Sequence, residues 1–75
     1  MTTASITTHG HTYEADLDGD RVTISMDGVL AGAGRWRDGS ILDCDAVLVR
    51  GDADATERVY DALDEALEDA LHGEG

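Results

Sequence analysis

Three Asp-Gly dipeptides, Asp18-Gly19, Asp27-Gly28 and Asp38-Gly39, leave this chain few ways to run. Asp-Gly supplies the positive φ angles of a tight two-residue turn, and it marks a hairpin most strongly where alternating apolar residues flank it. Here the flanks alternate. Tyr13, Ala15 and Leu17 point one way and Thr12, Glu14 and Asp16 the other, while Val22, Ile24 and Met26 alternate with Arg21, Thr23 and Ser25. The run from Val29 to Trp36 is weaker, because Gly32 and Gly34 offer no side chain to pack. A fourth run over 40–50 sets Leu42, Cys44, Ala46 and Leu48 on one face and Ile41, Val47 and Val49 on the other. The pattern predicts a four-stranded antiparallel β-meander over 11–50, with residues 1–10 either flexible or an additional strand.

At Asp54 the period changes. Val59, Ala62, Leu63, Ala66, Leu67, Ala70 and Leu71 recur at three- and four-residue steps, which predicts an amphipathic helix over 54–72. Asp54 with Glu57 has the spacing of a capping box, and Gly73 stands where a C-cap glycine belongs. Leu63, Leu67 and Leu71 are the expected buried stripe, with Asp61, Asp64, Glu65 and Glu68 facing water. A continuous antiparallel sheet followed by one helix is the α+β class, with the helix packed on one face of the sheet. A chain of 75 residues with no linker is a single domain with a thin core.

The charge balance limits what such a domain can bind. Seventeen acidic residues face five basic ones, all arginine, for a formal net charge of −12, and Lys, Asn, Gln, Phe and Pro are absent. A dense anionic shell destabilises a compact state by self-repulsion, and molar salt suppresses that penalty by shortening the Debye length to about 3 Å. In composition the whole chain resembles the cytoplasmic proteins of extreme halophiles, haloarchaea above all. That resemblance implies a cytoplasmic protein whose fold depends on salt, and it points to no functional family. Periodic hydrophobic residues, 41% of the total, set the chain apart from a disordered acidic segment. No apolar run is long enough to span a membrane, and residues 1–9 lack the features of a secretory signal.

Few residues point to chemistry. Asp16, Asp18 and Asp20 alternate as in a calcium loop, but Arg21 stands where that loop needs glycine and a strand follows in place of a helix. His9, His11 and His72 have no spacing that would bring all three to one metal. Cys44 lies between Asp43 and Asp45, whereas a nucleophilic thiolate needs an electropositive setting. No catalytic, metal or cofactor site is expected, and the chain reads as a non-enzyme.

Two features point to partners. Arg35-Trp36-Arg37 gathers two positive charges around the single tryptophan, and arginine and aromatic residues recur at binding hot spots and on stacking platforms for single-stranded nucleic acid. Val47 and Val49 make the end of the fourth run apolar on both sides, although one helix covers only one face. The expected function is a non-enzymatic protein-interaction module, acting as a homodimer or on another protein. Its docking surface would be Val47 and Val49 on the sheet face away from the helix, with the small residues 31–34 letting a second backbone come close. The alternative is nucleic-acid binding through Arg35, Trp36 and Arg37, which the net charge disfavours.

Overall fold

The structure, a computed structural model, describes residues 1–73. It is α+β, with five antiparallel strands, β1 Thr2–Thr8, β2 His11–Asp18, β3 Arg21–Met26, β4 Val29–Arg37 and β5 Ser40–Leu42, then one helix, α1 Ala53–Gly73. The sheet order is β1-β2-β3-β4-β5, an uninterrupted meander. It therefore has five strands where four were expected, and residues 2–8 supply the extra one at the edge. Their hairpin turns on His9-Gly10, both at positive φ, as do Asp27-Gly28 and Asp38-Gly39. The first Asp-Gly is offset by one residue: Asp18 pairs with Arg21, so Gly19 and Asp20 form the turn.

Each hairpin puts its apolar residues on one face, because the register opposes like faces: Ala4 to Ala15, Ile6 to Tyr13, Ala15 to Ile24, Leu17 to Val22. That inner face holds Ala4, Tyr13, Ala15, Leu17, Val22 and Ile24, and beneath α1 it meets Val59, Leu63 and Leu67. The outer face of β1 to β3 carries Thr3, Ser5, Thr7, Thr12, Glu14, Asp16, Thr23 and Ser25, a polar surface. A bulge between Ile24 and Ser25 leaves Ala31 unpaired and returns Gly32 and Gly34 to the inner side.

The fourth run departs most from expectation. Only Ser40–Leu42 pairs with β4; residues 43–52 leave the sheet and cross its inner face as an irregular strap. The two glycines make room for this crossing. A Cβ on Gly32 would lie 2.7 Å from Ala46 Cβ, and one on Gly34 would lie 2.5 Å from the Leu42 carbonyl oxygen and 2.7 Å from Cys44 Cβ. The small residues of β4 thus admit the chain's own strap rather than a second molecule. Helix and strap share the inner face, α1 lying against β1, β2 and β5 and the strap over β4.

The helix begins one residue before the expected start. Its N-cap is Asp52, whose Oδ1 accepts the Ala55 N–H at 3.0 Å, in place of Asp54. Val59, Leu63 and Leu67 are fully buried, whereas Leu71 is 42% exposed in the last turns of the helix. Asp64 is half-buried instead of facing water, and it accepts the Ile41 N–H at 2.9 Å, which blunts the free edge of β5. Burial raises the Asp64 pKa, partly offset by that N–H, and Asp61 adds to the rise. A raised folded-state pKa means that ionised Asp64 weakens the fold and that its protonation, as pH falls, strengthens it. Asp64→Asn retains the acceptor and discards the charge, so it should melt at or above the native chain at neutral pH, with the difference vanishing in acid. Asp64→Ala should lose about 1 kcal/mol by orphaning the Ile41 N–H. Thermal melts of the three chains across pH provide the measurement.

Candidate functional site

The strap is held without a strand ladder, by side chains that reach its backbone. From β2, the buried Tyr13 donates its hydroxyl to the Leu48 carbonyl at 2.6 Å. From the helix, Tyr60 donates to the Ala46 carbonyl at 2.6 Å, and Thr56 both accepts the Val49 N–H at 2.9 Å and donates to the Val49 carbonyl at 3.1 Å. Both phenols are pushed above their ordinary range. Burial is the main cause at each; Asp27 adds to it at Tyr13, and the hydrogen bond and charge of Cys44 add to it at Tyr60. They stay protonated and remain donors. Leu48 drops into the core between these ties, and Val49 packs against it.

This geometry relocates the expected apolar patch. Ile41, opposite Trp36, is on the inner face and packs against the core, while Leu42, opposite Arg35, is on the outer face and 45% exposed. Val47 and Val49 are on the strap, not on the sheet face away from the helix. Val47 is 66% exposed and borders an open groove of about 520 Å³ between the strap and the first turns of α1. Cys44, Ala46, Val49 and Thr56 also line it, and its acidic residues are Asp45, Asp52 and Glu57. A second groove, on the other side of Tyr60, is bordered by Asp43, Glu57, Asp61 and Asp64.

Strand alternation separates the members of the Arg-Trp-Arg cluster. Trp36 packs against the core from the inner face, and Arg35 and Arg37 project from the outer one. Arg35 lies directly opposite Arg21, a partner in the positive corner that spacing along the chain concealed. The Arg37 Nε is 4.0 Å from Asp38, with both side chains exposed. Val29 and Leu30, 69% and 67% exposed beside the β3–β4 turn, form a further apolar pair that sequence reasoning passed over.

The histidines take local partners. His11 Nδ1 lies 2.6 Å from Asp27 Oδ2, and His72 is 3.4 Å from Glu68 on the preceding helical turn. Asp27 also accepts the Thr12 N–H at 3.0 Å, and that bond, followed by the one to His11, lowers its pKa. Among the described residues no three His, Cys, Asp or Glu side chains converge as a metal site, and no helix is long and apolar enough to cross a membrane. No protein-family model, curated protein or solved structure matches this chain.

Proposed function

We propose that this chain is a protein-interaction module without catalytic activity, and that the groove beside Val47 is its docking surface. The observation that carries the reading is an exposed valine fixed on a tied-down strap. Tyr13, Tyr60 and Thr56 hold the strap's backbone, so Val47 is presented on a rigid support and little ordering entropy is lost when it is covered. The apolar floor with Asp45, Asp52 and Glu57 around it fits a partner segment of complementary chemistry, apolar residues interspersed with arginine or lysine. In molar salt the charge term fades and the apolar contact dominates, which agrees with the halophilic character that the composition suggests. Nucleic-acid binding through Arg35, Trp36 and Arg37 is the weaker reading, because a stacking platform needs the ring and the guanidinium groups on one surface.

Titration of the labelled chain with short basic-apolar peptides and with acidic-apolar controls, followed by amide chemical shifts, tests the proposal. Shifts confined to 44–49 and to the first helical turns, seen with the basic set and abolished by Val47→Asp, are expected. Equal response to both peptide sets, or no response at Val47, would reject the assignment.

A further inference from the structure

The two edges of the meander are treated differently. Asp64 blunts β5 by accepting the Ile41 N–H, but β1 pairs with β2 alone. Thr2–Thr8 carries no ionisable side chain, no proline and no bulge in a chain with a net charge of −12. Natural sheets commonly guard an open edge with one of those devices, because its free N–H and C=O groups invite another strand. The phase of the ladder identifies these groups. The Asp27 N–H donates to the Thr12 carbonyl at 2.8 Å, so the backbone polar groups of Thr12 point toward β3. Thr7, opposite Thr12, therefore turns its own groups away from β2, and alternation does the same for Ser5 and Thr3. Among the described residues none of these outward groups has a hydrogen-bond partner.

We infer that β1 pairs antiparallel with β1 of a second copy of this chain, about a two-fold axis at Ser5. The strand, Thr-Thr-Ala-Ser-Ile-Thr-Thr, reads almost the same from either end. In this register Ser5 faces Ser5 of the second copy, Thr3 faces Thr7, Thr2 faces Thr8, and the small Ala4 faces the larger Ile6. It also sets outward groups against outward groups, Ser5 against Ser5 and Thr3 against Thr7, and of the registers that do so it has the longest overlap. A one-residue slip breaks that match, and moving the axis to Ala4 or Ile6, or further to Thr3 or Thr7, keeps the phase but shortens the overlap. Cross-strand hydroxyl pairs are favourable in such ladders.

The helix leaves space for the second copy. Thr56, Tyr60 and Asp64 on one flank of α1 reach the strap and β5, so the opposite flank, Ala62, Ala66 and Ala70, is the one above β1. Alanines put no bulk over the strand's edge. Two chains of charge −12 repel, and an uncharged strand is where they approach at least cost, with added salt screening the remainder. The pairing is independent of the Val47 groove, and a dimer joined at β1 would display that groove twice.

Sedimentation in molar KCl of the native chain, Ser5→Pro and Val47→Asp supplies the first test. Proline at an edge position whose N–H points outward removes no bond to β2. Ser5→Pro should therefore keep the native circular dichroism while raising the monomer–dimer midpoint by more than about tenfold, and Val47→Asp should dimerise normally. The second test works in a Cys44→Ala background. Ser5→Cys places two thiols opposite each other across a pair with Cα atoms about 5.5 Å apart, within disulfide reach, whereas Thr7→Cys faces Thr3. Mild oxidation should link Ser5→Cys into a covalent dimer far faster than Thr7→Cys. A native chain that stays monomeric in molar KCl, or equal linking of the two cysteine variants, would overturn the inference. Loss of dimer in Val47→Asp alone would move the interface to the groove.

Discussion

Replacing Gly34 with valine is expected to cost at least about 3 kcal/mol, well beyond an ordinary surface substitution. The contacts a Cβ would make there are with backbone: the Leu42 carbonyl oxygen at 2.5 Å and Cys44 Cα at 3.3 Å, besides Cys44 Cβ at 2.7 Å. No flexible side-chain end can yield, so the strap itself must lift from β4. Lifting it pulls Leu48 from the core and strands the Tyr13 and Tyr60 hydroxyls. Ala33→Val, one residue away on the exposed outer face, should change stability by less than about 0.5 kcal/mol. Urea unfolding of the two variants in molar KCl measures both. If Gly34→Val unfolded at the native midpoint, the strap would not lie where the structure has it.

Leu67→Ala should destabilise the chain by about 2–5 kcal/mol, through lost transfer energy and the cavity left behind. Leu67 is fully buried with Leu63 and Val59 in the seam between α1 and the sheet. A domain of this length has about 10 kcal/mol of net stability at best, so the variant should be partly unfolded under mild conditions. Leu71→Ala serves as the comparison: its side chain is 42% exposed, and the change should cost under about 1 kcal/mol. Equal losses at the two positions would mean that the helix is docked along its whole length.

The contrast between these leucines shows how far the sequence could be read. Period and turn chemistry revealed β2, β3, β4 and the helix, because each is a local signal: alternation beside Asp-Gly, then a change to three- and four-residue steps. The strand at the N-terminus is legible only as one of two alternatives for residues 1–10, because its turn, His9-Gly10, has histidine where Asp or Asn is the usual indicator, and because Thr and Ser blur the alternation of Ala4 and Ile6. The strap was misread for a different reason. Residues 43–50 do alternate, but the decision between strand and strap lies in distant residues, the glycines of β4 beneath it and the hydroxyls of Tyr13, Thr56 and Tyr60 around it. Those helical residues left a trace, since Thr56, Tyr60 and Asp64 recur at four-residue steps beside the apolar stripe. A polar row hugging a buried face suggests backbone to be capped. The location of Val47 and Val49 then followed the strap. Trp36 was placed with its arginine neighbours by proximity in the chain, which a strand turns into opposition in space.

The placement of α1 against β1 bears on how the chain reaches its native state. Hairpins of two-residue turns close quickly from neighbouring residues, so the meander can zip up in order. The helix can dock only when the far end of the chain meets its beginning, across an intervening segment of more than forty residues, and the entropy of closing that loop is lost before burial repays it. Such long-range pairing slows folding, the logarithm of the rate falling as the mean separation of contacting partners rises relative to chain length. The late step is therefore the closing of the chain upon itself, and until it is complete the apolar face of the sheet remains open to any other unfinished molecule.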